Sequence, residues 1–507
     1  MGCASSKSTP TLSAPRNERE RRLSQQNYSS KNALEAARRD PATGRVDVAL
    51  IDADWLLQLD GIPPCRQQLP EKAFFQGSVD IENVVVLAIT YPWVRRTHPD
   101  PEGWHLRIMK HFLHLYFNLD LIGKDGQNKT VTSPPAGQGK RVAIFWDWMS
   151  LYQEHNPSTD RTDEQTQSYM RALMNVHLWF ANRHTMVWRL TKLPLPRDAG
   201  REIKPASTRG WCFFELALSQ MITPSDRVLN LGVVVEDNGS CFDGSKFYER
   251  SFGQLFGGWE ALEDDPEGRS RPTLVKTCSS DRQLPMVPSV FDEELKNLSF
   301  SNRSDAEFVQ RKYAQVYREL MEESTSVDFS DCHITSPIVD LGPKLEVCQG
   351  RLQVLNLGGN PLIKGTLDIL SACTQLEWLD LRGCSGLTGT LEPLASLEKL
   401  KELNLYCCQQ MGGTLEPLSN LSQLKDLNLS GCVKLTGGLE PLSSLSQLST
   451  LNLRSCQFTG TVEPLEGLSL TLLNLEQCKG LKGNLKRLRK RRGLKKVETR
   501  GASGLEG

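Results

Sequence analysis

The sequence predicts an α/β protein in two parts: a doubly wound parallel sheet over residues 81–225, then an α/β solenoid of short repeats over 324–507. Three observations carry this reading. Between 81 and 220, continuous apolar runs alternate with segments of helical periodicity. From 352 onward one hexapeptide pattern returns, mostly at intervals of 24 residues. Over the whole chain of 507 residues, 60 basic side chains balance 60 acidic ones, so no global field points to nucleic acid, and no nucleic-acid partner is expected.

Residues 1–45 are polar, rich in Ser and Arg, and read as a disordered basic tether. Its opening, MGCASSKS, sets Gly2 behind the initiator Met with Ser6 and Lys7 following, which is the N-myristoylation pattern, and Cys3 is a palmitoylation candidate. One acyl chain holds a membrane only marginally. Two chains with the Arg-rich tract 16–39 predict a lipid-anchored protein on the cytoplasmic face of a membrane. Within that tract RRLS (21–24) is a basic-directed phosphorylation pattern, and phosphate there would weaken the lipid attraction. No apolar run reaches the roughly 18 residues that a membrane-spanning helix needs. Residues 46–80 read as a lead-in segment, with compact structure starting at 81.

The buried-strand candidates are IENVVVLAIT (81–90), RVAIFWDWMSL (141–151) and HTMVWRL (184–190). Helical periodicity marks 103–117, 163–181 and a third helix that opens at TRGWCFFELALSQ (208–220). Strand–helix alternation of this kind puts a ligand crevice at the carboxyl ends of the strands, where Tyr91, Trp93, Asp147 and Trp211 are the expected lining. Glu215 stands one turn into the last helix among apolar neighbours. Two readings are open for it: a charge favoured by the helix dipole, or a carboxylate held in an apolar setting for chemistry. Trp146 and Trp148 are expected to share one strand face as core, with Asp147 on the other, and His177 and His184 read as structural. GQGKR (137–141) lacks the residues of a phosphate-cradling loop. No metal site is expected.

The order FWDWMSLYQ (145–153), DEQTQSYMRALMNVHLWFANRHTMVWRL (163–190) and RGWCFFEL (209–216) resembles the heterokaryon-incompatibility (HET) domain. More distantly it is similar to the Toll/interleukin-1-receptor/resistance (TIR) domain, which carries an S-x-W-C-x-x-E-L segment after its third strand. The resemblance covers about 81–225. It implies that Glu215 is the carboxylate that cleaves the nicotinamide glycosidic bond, with NAD as a substrate and no resident cofactor. The leading expectation is action by self-association, as a homo-oligomer, since many domains of this fold only bind their like, with the NAD glycohydrolase or cyclase as the alternative. An adaptor with an inactive α/β domain is a third expectation. The chain departs from the family in TYPWVRRTHPDPEG (90–103) and in the Thr-Arg-Gly before Trp211, so no nucleotide contacts carry over.

Residues 226–323 read as a connector ending in an amphipathic helix near 304–323. Beyond it, LQVLNL (352), LEWLDL (376), LKELNL (400), LKDLNL (424), LSTLNL (448) and LTLLNL (470) lead to a degraded LKKVET (494). This pattern resembles the leucine-rich repeat, in its plant-type 24-residue subclass. STSVDFSDCHI (324–334) reads as an earlier, irregular repeat. Each L-x-L is a short strand that cannot bury its leucines alone, so the units stack. Cys384, Cys408, Cys432 and Cys456 recur at one buried turn position. The fourteen cysteines are therefore expected to be free thiols. Positions three, five and seven of each repeat are expected on the concave face, where Trp378, Asp380, Arg382, Glu402, Asn404, Tyr406, Asp426, Asn428, Ser430, Asn452 and Arg454 suit a protein partner. Asp368, Glu392, Glu416, Glu440 and Glu463 form a solvated acidic row, and the basic run 486–496 reads as a polar end cap.

Taken together, these features predict a membrane-anchored signalling or scaffold protein.

Overall fold

A computed structural model describes residues 28, 33–79, 83–95, 97–117, 141–154, 161–193, 204–223, 225–235, 278–279, 284–300, 302–322, 324–332, 334–489 and 493–506. Gly2, Cys3, the RRLS pattern and 137–140 lie outside them. The chain forms two compact units, one of residues 1–280 with Pro288–Val316, the other of Asp281–Val287 with Tyr317–Gly507.

The first unit is built on a five-stranded sheet. Its elements are α1 (Ala33–Arg38), β1 (Ile51–Asp52), α2 (Ala53–Gln58), β2 (Val84–Thr90), α3 (Trp104–Phe117), β3 (Arg141–Phe145), α4 (Asp147–Ser150), α5 (Asp163–Met174), α6 (His177–Phe180), β4 (Thr185–Arg189), α7 (Gly210–Ile222), β5 (Val228–Asn230), α8 (Pro288–Leu295) and α9 (Arg303–Tyr317). The strands lie in the order β1-β3-β2-β4-β5. β2 pairs in parallel with both β3 and β4, β4 pairs in parallel with β5, and only β1 is antiparallel. The order of the parallel strands thus reverses on either side of β2, which opens a crevice at their carboxyl ends.

Period-two alternation decides which face each side chain joins. Leu87 and Ile89 of β2, Ile144 of β3 and Trp188 of β4 enter one core with Leu56 of α2 and Leu106, Met109 and Phe112 of α3. On the opposite face Phe145 stacks on Trp179 of α6 at 5.2 Å and meets Phe180 edge-on. Each fully buried side chain of this size contributes about 1.5–3 kcal/mol.

Several sequence expectations are corrected here. The strand expected over 141–151 stops at Phe145, because Asp147–Ser150 turns into a helix. Trp146 and Trp148 are buried as expected, but they flank Asp147 at this strand-to-helix turn rather than along a strand. The helix expected over 163–181 is two, α5 and α6. Compact structure does not wait until 81: β1 pairs with β3, and buried Arg66 donates to the carbonyls of Val46 (2.9 Å) and Ser150 (3.1 Å). Arg171 of α5 grips Asp47 through two bonds of 2.7 and 2.8 Å. Two basic side chains, Arg66 on carbonyls and Arg171 on a carboxylate, tie the lead-in to the sheet. Even the expected tether contributes α1, where Ala33, Leu34, Ala37 and Arg38 are buried. Finally, β5 lies beyond the expected boundary at 225 and completes the sheet.

The second unit is a solenoid of the leucine-rich-repeat type. Eight short parallel strands, Ser326–Asp328, Val354–Asn356, Trp378–Asp380, Glu402–Asn404, Asp426–Asn428, Thr450–Asn452, Leu472–Asn474 and Lys496–Glu498, pair in sequence order. Their register is uniform, Leu355 against Leu379, Leu403, Leu427, Leu451 and Leu473, and these leucines are buried. The irregular repeat near 326 and the degraded one near 496 both add strands. Cys384, Cys408, Cys432 and Cys456 are buried free thiols. Each donates to a leucine carbonyl one coil back, at 3.0–3.1 Å. Asn360 fills the same place at the start of the ladder, donating to the Phe329 carbonyl at 2.8 Å, and Cys478 extends it at the end. Burial pushes these thiols up, Cys384 to about 12, so they stay protonated donors.

Candidate functional site

The carboxyl ends of β2 and β3 and the start of α7 enclose a cavity of about 240 Å³. Tyr91, Trp93, Asp147, Trp211 and Glu215 all line it, together with Ile89, Pro92, Lys204, Arg209, Cys212, Ser299 and Phe300. Tyr91 and Trp93 follow β2, where the parallel strand releases the chain over the crevice. Asp147 opens the turn of α4 beyond β3. Trp211 and Glu215 lie four residues apart on α7, one helical turn, and so face the same way.

Glu215 is only 6 % exposed. Burial pushes its carboxyl up from 4.5 to about 8, the negative charge of Asp147 adds to the rise, and a hydrogen bond with the Thr90 side chain opposes it. At neutral pH it is therefore mostly a neutral acid. Asp147 accepts from the Tyr91 hydroxyl and from the Trp148 amide, both at 2.7 Å. Burial and that neighbouring carboxylate hold the Tyr91 phenol well above its usual range, so it remains a donor. Burial raises the Cys212 thiol to about 12, with Glu215 adding to the effect. The site thus holds two buried, hydrogen-bonded carboxyl groups, Asp147 with the Tyr91 hydroxyl and the Trp148 amide, and Glu215 with the Thr90 side chain.

The far wall comes from the connector, where sequence reading had found no motif. Arg209 bridges in parallel to Ser299, whose amide and hydroxyl both donate to the Thr208 carbonyl at 2.9 Å. The ring of Phe300 covers Gly210 so closely that a Cβ there would stand 1.9 Å from it. Glycine at 210 is therefore a packing requirement. Trp211 donates its indole N–H to Asp305 of α9 at 3.0 Å, and its ring meets those of Phe214 and Phe308. A glycine ahead of an aromatic helix start was the one sequence signal of this close approach; its partner lies ninety positions away and carries none.

Arg209 and Lys204 were also missed. Arg209 donates to the carbonyls of Trp93 (3.0 Å) and Lys204 (3.3 Å), which fixes the loop over the cavity. His177 is buried against α9, and burial, with Lys312 adding, keeps its imidazole well below the usual range. Among the described residues no cluster of His, Cys, Asp and Glu could hold a metal ion.

On the solenoid the expected partner-facing residues divide. Asp380 and Ser430 are buried, contrary to expectation. At position five Asp380, Asn404, Asn428 and Asn452 each accept from the amide two residues on, at 2.9–3.2 Å, which shapes the turn and spends the side chain locally. At positions three and seven, Trp378 and Asp426 are half-buried, and Glu402, Arg382, Tyr406 and Arg454 are exposed.

No protein-family model matches this chain, and no curated protein sequence does. Among solved structures it is similar to an internalin C2 from Listeria monocytogenes, at 23% identity over 37% of this chain and 75% of that one, with a TM-score of 0.29. The leucine-rich-repeat ectodomain of the receptor kinase SOBIR1 from Arabidopsis thaliana is 28% identical over 25% of this chain and 71% of that one, TM-score 0.23. A second Listeria internalin is 17% identical over 38% and 62%, TM-score 0.27. Among the described residues no helix is long and apolar enough to cross a membrane.

Proposed function

We propose that this chain is a signalling protein whose solenoid binds a protein partner and whose first unit is a TIR-like domain that cleaves the nicotinamide–ribose bond of NAD at Glu215. One observation carries the catalytic part: Glu215, Asp147, Tyr91, Trp93 and Trp211, drawn from three separate stretches of sequence, converge on one cavity at the carboxyl ends of the parallel strands. Trp93 and Trp211 offer flat apolar faces for a planar ring. In the reaction the C–N bond breaks with its electron pair going to the departing nicotinamide, which needs no proton. Water adds to the oxocarbenium-like carbon and gives up a proton to the solvent. The positive charge of the bound pyridinium favours the ionised form of Glu215, which then faces the cation that develops on the sugar.

Full-length protein incubated with NAD tests this reading. Nicotinamide released by the parent and not by Glu215→Ala supports it; no release from the parent overturns it. The solenoid supports the partner-binding part through its exposed row of Glu402, Arg382, Tyr406 and Arg454, a mixed aromatic and charged face of the kind that protein interfaces use. Acylation at Gly2 and Cys3 would hold the protein at a membrane, and self-association of the first unit would couple partner capture to output.

A further inference from the structure

Arg209 is the N-cap of the thirteen-residue helix α7, and its side chain makes no capping bond. A cation there opposes the positive end of the helix, where an anion is the favoured neighbour. It is also half-buried, and burial draws its guanidinium below the ordinary range. Its hydrogen bonds go to two backbone carbonyls, and it forms no ion pair with any carboxylate among the described residues. Lys204, exposed on the same cavity wall, forms none either. Two cations facing one cavity, one of them desolvated and set against a helix dipole, describe a site whose counter-charge comes with the ligand. The rest of the lining agrees: among the described residues its carboxyl groups are Asp147 and Glu215, and burial holds the Glu215 acid mostly protonated at neutral pH.

We propose that Arg209 and Lys204 form a phosphate subsite at the mouth of the cavity, so that its ligand is a phosphorylated nucleoside with the planar ring between Trp93 and Trp211 and the phosphate on the two cations. This rests on the small-molecule reading of the cavity given above and adds the group by which the site selects. Arg209 is well suited to it, because a guanidinium held in place by two carbonyls presents its remaining N–H groups without further ordering. Both residues are specificity determinants here and take no part in bond cleavage.

The test is titration calorimetry of the full-length protein at pH 7 with nicotinamide mononucleotide and with nicotinamide riboside, which differ by the phosphate alone. The mononucleotide is expected to bind at least about tenfold more tightly, the contribution of one charge-assisted hydrogen bond. Lys204→Gln should remove most of that preference and leave riboside affinity within about twofold; Arg209→Gln should remove it too, while also weakening the riboside because the Trp93 carbonyl loses its donor. Lys204 is exposed and holds Arg209 only through its backbone carbonyl, which the substitution keeps, so its variant reads the subsite even if Arg209→Gln disturbs the loop. Equal affinity of the parent for the two ligands, a Lys204 variant that weakens both alike, or no binding of either overturns the proposal. Phosphate-selective binding without nicotinamide release sinks the cleavage reading and leaves the subsite standing. Release without phosphate preference does the reverse.

Discussion

Replacing Glu215 by Gln should change how the stability of the first unit responds to pH. Gln keeps the shape and hydrogen-bonding reach of the protonated acid and cannot ionise. In the unfolded chain the Glu215 carboxyl titrates near 4.5, and in the folded protein near 8. Below 4.5 both states hold the proton and Glu215 adds no pH dependence. Between the two values only the folded state holds it, so stability is lost as pH rises, by up to about 1.4 kcal/mol per pH unit. Across the span from 4.5 to about 8 this comes to about 5 kcal/mol if the cavity stays dry. Water in the cavity solvates the carboxylate and reduces the figure. Urea unfolding of full-length parent and Glu215→Gln at intervals from pH 4.5 to 8.5, followed by tryptophan fluorescence, measures it. Nine of the ten tryptophans precede residue 280, so the signal reports the first unit. The variant should gain on the parent steadily as pH rises. Parallel stability profiles for the two proteins would refute a desolvated carboxyl in this cavity.

The same proton governs catalysis if the ionised form is the active one: kcat/KM for NAD, measured as nicotinamide release, should rise as pH passes through about 8 and level above it. Gly210→Ala should cost about 1–3 kcal/mol through the clash with Phe300, and Phe300→Ala in the same chain should recover part of it, a coupling that a double-mutant cycle reads. In the solenoid, Leu403→Ala should cost about 2–5 kcal/mol by chemical denaturation, since the side chain is buried between repeats. Tyr406→Ala, at an exposed position, should leave that denaturation curve within about 0.5 kcal/mol while lowering partner recovery in co-purification. Gly2→Ala should shift the protein from the membrane pellet to the soluble fraction; a protein that stays in the pellet would rule out the acyl anchor.

Local periodicity was enough for the solenoid, because each repeat states its own strand and each strand meets only its neighbours. Leu355, Leu379 and Leu403 stack at the spacing that the repeat itself sets. The cysteine ladder was visible for the same reason. What periodicity could not show was where a polar side chain spends its hydrogen bonds: Asn404 and Asn428 look like partner contacts and instead close their own turns. In the first unit, apolar runs located three strands, and the rule that crevices open at strand ends brought Tyr91, Asp147 and Glu215 together as candidates. The edge strand at Ile51 and the closing strand at Val228 were too short to announce themselves, since two or three residues carry no period.

Chain chemistry alone dictated the stacking of leucines and the presence of a carboxyl among apolar neighbours on an amphipathic helix, because both follow from spacing within a few turns of chain. Folding alone decided that Phe300 would wall the cavity and Asp305 would hold Trp211, that Thr90 and Asp147 would sit against Glu215, and that Arg209 would find carbonyls and no ion pair among the described residues. Proton affinity and charge balance depend on distance in space and on exclusion of water. Neither is written in the order of residues.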